Sequence, residues 1–146
     1  MSNEEIIKLA TSLKTNFGTT DTIKLCSMMG IEIEYMNLNP RIYKAYTIHF
    51  NNPIIKLNNR FTLTSQKVLC AHELGHALLH NDNIFNQFND DHNGVNEYQA
   101  NLFAVALLFN RSDFNIDISK MDNYMLRNIL DKNIKITDKN PLMLTF

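Results

Sequence analysis

The spacing of apolar residues changes character several times along the chain. In "EEIIKLATSLKTNF", residues 4 to 17, Ile6, Ile7, Leu9, Leu13 and Phe17 recur at mostly helical intervals, and Gly18 supplies a stop. "TTDTIKLCSMMG" opens on capping residues, carries Ile23, Leu25, Cys26 and Met29, and ends on Gly30, which predicts a second short helix. The period then falls to two: "IEIEYMNL" alternates apolar and acidic residues in the manner of a half-buried strand. "YKAYTIHF" and "PIIKLN" read as two further strands with a turn at "NN" and Pro53, and a proline at the start of a strand suits an edge. A helix follows from Thr62 or Thr64, each able to cap it, to about His80. "NDNIFNQFNDDHNG" is polar and Asn-rich and reads as a long loop, a type of segment that is often functional. "VNEYQANLFAVALLF" is strongly apolar and helical, and one more helix is expected around "MDNYMLRNILDKN". The expected fold class is α+β: helices packed with a small antiparallel sheet, then the helices that carry the distinctive residues. No repeat or boundary divides the chain, so residues 1–146 are expected to form a single domain, with 113–146 as a C-terminal tail to which no motif is assigned.

Composition narrows the function classes. With 146 residues, 45% hydrophobic and 20% charged, the chain can build a core and is not a disordered polymer. A net charge of −1 and the lack of a helix-turn-helix pattern argue against direct nucleic-acid binding. The acidic start "MSNEEIIKLATSLKTNF" is not expected to act as a signal peptide, and no run reaches the ~18 apolar residues of a membrane span. Cys26 and Cys70 are too few and too distant for a disulfide framework and are expected as reduced core residues, consistent with a cytoplasmic protein.

The chemistry concentrates in "VLCAHELGHALLH", residues 68 to 80. Successive helical residues turn by about 100°, so His72 and His76 share a face one turn apart and can reach one ion. Glu73, the next residue round, can lean over the same site without ligating, where a base acting on water at a metal must stand. Gly75 leaves room for another element, while Cys70, Leu74, Ala77 and Leu78 form an apolar face for the core. Two histidines on a half-buried helix can also be satisfied by ordinary hydrogen bonds, so a third ligand decides the matter. Glu97 is the best candidate: its helical face continues through Ala100, Asn101, Ala104 and Leu108, and the two alanines permit close packing. Catalytic zinc commonly takes two histidines and a glutamate and keeps its fourth position for water. Asn101 is expected to orient a ligand or to bridge the two helices. His80 and His92 are rival ligands. His80 lies about 12 Å along the axis from His72, too far to share its ion, and is expected instead as a helix cap. His92 sits in a loop that nothing fixes.

Three segments, "KTNFGTTDTIKLCSMMGIEI", "PIIKLNNRFTLTSQKVLCAHELGHALLH" and "NEYQANLFAVALLF", resemble the successive signatures of the ImmA/IrrE family of metallopeptidases over roughly residues 5 to 110. The resemblance implies one zinc ion held by His72, His76 and Glu97, with Glu73 as the catalytic acid/base. It also implies a protein substrate, commonly a helix-turn-helix repressor of a mobile element or stress regulon encoded beside the peptidase. Members often carry a proline soon after the last apolar pair; this chain has Asn110 there.

The expected activity is therefore zinc-dependent endopeptidase hydrolysis, with the strand around "IIKLN" able to pair with an extended substrate. Tyr46, His49 and Tyr98 are unranked candidates for stabilising the oxyanion. Two other readings stand beside it. One is a zinc-dependent anti-repressor that binds its partner without turnover. The other is a purely structural zinc site, which usually closes with four ligands and favours cysteine.

Overall fold

The computed structural model describes residues 1–49, 51–80, 85–87 and 94–137. Two N-terminal helices lie where the apolar spacing puts them. Helix α1, Asn3–Phe17, starts with a reciprocal cap in which Ser2 Oγ accepts from Glu5 N–H and the Glu5 carboxylate accepts from Ser2 N–H. It ends on Gly18, whose φ of 66° is the left-handed conformation glycine adopts at least cost. Helix α2, Thr22–Met28, is capped by the Asp21 side chain.

Strands β1 (Glu32–Met36), β2 (Ala45–His49) and β3 (Pro53–Asn58) follow, but the sheet they form is mixed, not purely antiparallel. Its order is β1-β3-β2-β4: β3 pairs antiparallel with β2 and parallel with β1. Three strands that run up, down and up leave the first and third pointing the same way. When the β2–β3 hairpin inserts its second strand beside β1, the new neighbours are parallel. Alternation in sequence reports which face a residue occupies, not which strand lies beside it. The register puts Glu34 directly opposite Lys56, and the two side chains form an ion pair. Strand β3 is consequently interior, which corrects the expectation of an edge strand, open or covered, at "IIKLN". The stretch read as one long loop contains a further strand, β4 (Phe85–Gln87), which pairs antiparallel with β2. His92 and the rest of that stretch lie outside the described residues.

Helix α3, Leu63–Leu79, runs under the sheet with Thr62 as its N-cap, and helix α4, Gly94–Leu108, packs along it. Helix α4 is the centre of the molecule. Leu102, Phe103, Ala104, Val105, Ala106 and Leu107 are all buried, because α1, α3 and helix α5 (Asn123–Asp131) surround it. The tail reaches α5 through two 3₁₀ turns, Arg111–Asp113 and Ile118–Lys120, and α5 buries Leu126 and Leu130. Beyond α5 the chain returns to the start of α3, where Thr62 N–H donates to the Lys135 carbonyl at 2.9 Å. The C-terminal segment thus packs against both site-bearing helices. Cys26 and Cys70 are buried free thiols, their Sγ atoms 3.6 Å apart, as expected of core residues. Among the described residues, no helix is long and apolar enough to cross a membrane.

Candidate metal centre

Helices α3 and α4 are antiparallel neighbours, and Gly75 is what lets them approach. A Cβ at that position would stand 3.2 Å from Ala100 Cα and 3.2 Å from Phe103 Cδ1. Backbone cannot yield as a flexible side chain does, so the pair Gly75–Ala100 sets the distance between the helices. Gly75→Val should therefore cost about 2 kcal/mol through overpacking, seen as a lower melting temperature. It should also weaken metal binding, because the two halves of the site ride on the two helices. A variant with unchanged stability and metal affinity would show that this contact does not set the spacing.

The close approach brings His72, His76 and Glu97 together, with one ligand atom from each lying within 4.8 Å of the others. His76 Nε2 is 2.9 Å from Glu97 Oε1 and 3.1 Å from His72 Nε2, and His72 Nε2 is 3.3 Å from Glu97 Oε2. All three side chains are buried, so the face that sequence periodicity marks as polar is covered by α4. Among the described residues this is the one group of three such side chains able to hold a metal ion.

The hydrogen bonds behind the imidazoles say which nitrogens face the junction with lone pairs. His72 Nδ1 lies 2.8 Å from Asn101 Oδ1, an acceptor, so Nδ1 carries a proton and points Nε2 inward. Asn101 Nδ2 in turn donates to Asn123 Oδ1 at 2.7 Å, fixing the amide's orientation from α5. Asn101 thus does both things expected of it, bracing a candidate ligand and bridging helices. Lone-pair nitrogens and a carboxylate oxygen at these separations repel unless a cation lies among them. One proton relieves one pair; a divalent ion relieves all three. Two imidazoles and a carboxylate are also the donor set that catalytic zinc uses, so the residues present fit such an ion.

Electrostatics follow from burial and from this pairing. Burial alone would raise the Glu97 carboxyl, but the His72 and His76 rings set against it hold it down at about 2. Burial pushes His76 down to about 4, against the pull of Glu97, so it is neutral at physiological pH. For His72, burial opposes protonation, yet Glu97 raises its pKa above the ordinary value. Glu73 differs from Glu97. Full burial outweighs the pull of His72 and the Thr47 hydrogen bond and pushes it up to about 8.

Glu73 projects from α3 toward the sheet. Its Oε1 accepts a 2.7 Å hydrogen bond from Thr47 Oγ1 on β2, while Oε2 is buried with no hydrogen-bond partner. Thr47 is a contact that sequence reasoning missed, since a buried threonine at an alternate strand position is ordinary for a sheet. Of the oxyanion candidates, Tyr98 is committed elsewhere: its hydroxyl accepts from Asn3 at 2.8 Å and donates to the Met121 carbonyl at 3.1 Å. Tyr46 alternates onto the sheet face opposite Thr47. His49 shares the Thr47 face, and its Nε2 donates to the Ala77 carbonyl at 3.3 Å. His80 occupies the C-cap position of α3, as expected, and its ring is buried against His76 rather than turned to solvent.

Comparison with known proteins agrees with this geometry. The family profile Peptidase_M78, described as the IrrE N-terminal-like domain, matches residues 26–135, a span holding all of the candidate site. The "Uncharacterized immunity region protein 2" of Bacillus phage phi105 is 31% identical over 107 residues, covering 70% of this chain and 68% of that protein. No solved structure matches. The motifs on α3 and α4, their meeting in space and a profile spanning most of the chain lead to one conclusion: the protein belongs to the Peptidase_M78 family.

Proposed function

We propose that the chain is a single zinc metallopeptidase domain that hydrolyses a peptide bond in a protein substrate. The substrate class we infer is a helix-turn-helix repressor of a mobile element or stress regulon, acted on in the cytoplasm. The observation that carries the hydrolytic reading is the juxtaposition of a His₂Glu ligand set with a separate buried carboxyl, Glu73, that is not part of it. Membership of a peptidase family supports it, and a relative named for a phage immunity region supports the choice of substrate.

In this reading His72, His76 and Glu97 hold one Zn²⁺ ion. Such an ion supplies Lewis acidity, polarising a peptide carbonyl and drawing down the pKa of water and of nearby acids. Glu73 Oε2 is the oxygen free to accept a proton from the attacking water and to return it to the departing amine. Thr47 holds the other oxygen, so the carboxyl cannot swing between orientations. Thr47→Val keeps the side chain's shape and removes that donor. It should lower kcat by about ten- to a hundredfold, the worth of a lost buried hydrogen bond, and leave zinc affinity unchanged. An unaltered kcat would deny Thr47 this role.

The direct test mixes purified, zinc-loaded protein with the repressor encoded nearest to it and looks for two fragments by mass spectrometry. A chelator should suppress the fragments and added zinc should restore them. A second reading, a zinc-dependent anti-repressor that binds its partner without turnover, is favoured by one observation: the phage relative is named for an immunity region and not for a peptidase activity. Release of the repressor from DNA with the repressor intact would select that reading.

A further inference from the structure

The third histidine of the α3 motif is not a ligand candidate in the structure, yet it is buried and hydrogen-bonded on both sides of its ring. His80 Nδ1 lies 2.8 Å from His76 Nδ1, and His80 Nε2 lies 2.8 Å from Gln99 Oε1 on α4. The order of protons along this chain follows from Gln99 setting its amide oxygen, not its nitrogen, against the ring. Gln99 Oε1 can only accept, so His80 Nε2 carries hydrogen. A neutral His80 then offers a lone pair at Nδ1, which accepts from His76 Nδ1–H. That leaves His76 Nε2 bare where it faces Glu97 and His72.

We propose that His80, oriented by Gln99, is a positioning residue that locks His76 in the tautomer able to bind a metal. This inference rests on the metal-site reading above. The arrangement mirrors the one behind His72, where Asn101 and Asn123 do the same work, so both imidazoles are braced from outside through Nδ1. The two braces differ in origin. Asn101 belongs to the helix that faces His72, whereas His80 comes from one turn further along the helix that carries His76. Spacing of four residues thus serves twice in this motif, first to bring two rings to one junction and then to place a third ring behind the second. Neutral imidazole nitrogen ligands are oriented in this way by partners on their other nitrogen, and loss of such a partner weakens metal binding about 10- to 100-fold.

The test measures zinc affinity by competition with a chromophoric chelator for the full chain and for His80→Ala, His80→Asn and Gln99→Ala. Long-range ¹H–¹⁵N correlation of the histidine rings is recorded on the chelator-treated proteins. His80→Ala should weaken zinc binding by about 10- to 100-fold and release His76 into a mixture of tautomers. His80→Asn, which returns an acceptor oxygen near the same place, should recover most of the affinity. Gln99→Ala, at a half-buried position on α4, should give a smaller loss in the same direction and serves if His80→Ala does not fold. Wild-type affinity and an Nδ1-protonated His76 in His80→Ala or Gln99→Ala would overturn the inference while leaving the metal site standing. A change in melting temperature alone, with affinity unmoved, would also overturn it. Wild-type protein that binds no zinc would remove both the inference and the reading beneath it.

Discussion

Glu73→Gln should abolish peptide hydrolysis while leaving zinc binding and the fold in place. The replacement is nearly the same size, and its amide oxygen can still accept from Thr47 Oγ1, so neither α3 nor β2 has cause to move. What disappears is an atom that can take and return a proton, a role worth about 10²- to 10⁴-fold in rate. Stability supplies an independent check on the zinc-stripped protein. Burial raises the Glu73 carboxyl from 4.5 to about 8, so the folded state holds a proton that the unfolded chain releases. A raised acid costs nothing below its unfolded pKa, and its penalty grows as pH climbs toward the folded value. Chelated wild type should therefore lose stability relative to Glu73→Gln between about pH 4.5 and about pH 8, the two proteins converging at lower pH. Cleavage at the wild-type rate by Glu73→Gln would end the hydrolytic reading. A stability difference of the opposite sign would show that this carboxyl is ionised in the fold.

Glu97→Gln should reduce zinc affinity by more than about 100-fold, beyond the loss expected from any partner that merely orients a ligand. Glu97 is the only carboxylate in the cluster, and its two oxygens face the two imidazoles separately. The amide retains the volume but not the charge, and two neutral nitrogens alone make a poor site. The same carboxylate leaves a mark in the absence of zinc. Its pKa is held at about 2 against an ordinary 4.5. A depressed acid stabilises the fold above its unfolded pKa and loses that contribution as pH falls through the folded one. The wild type should thus shed stability between about pH 4.5 and about pH 2 in a way that Glu97→Gln does not. Tight stoichiometric zinc in Glu97→Gln would mean that another residue completes the ligand set.

The contrast between the two glutamates shows how much was legible in advance. Placement of His72, His76 and Glu97 follows from helical spacing plus one packing argument, because Gly75 and Ala100 advertise the close approach that they then make. Element positions were equally accessible, since α1 to α3 and the first three strands each carry a periodic pattern bounded by a cap or turn. Neighbour relations in the sheet were not. Nothing in "IIKLN" says that its strand is interior, or that Glu34 will meet Lys56 across a parallel pair. The residues behind the site were hidden for a related reason. Thr47, Gln99 and Asn123 come from three different elements, and each is an unremarkable polar residue until tertiary packing sets it against Glu73, His80 or Asn101. Asn101 was the exception, because it falls one turn from Glu97 on the same helical face.

The claim on which the rest depends is that α3 and α4 together deliver two imidazoles and one carboxylate to a single ion. Zinc K-edge absorption fine structure on the purified chain tests it most directly, with metal content determined on the same sample. One zinc per chain is expected, with scattering from two histidine rings, light oxygen or nitrogen neighbours at about 2.0–2.2 Å and no sulfur. Loss of that signal is expected in His72→Ala, His76→Ala and Glu97→Gln. A sulfur shell, a third histidine or a signal unchanged by Glu97→Gln would contradict it.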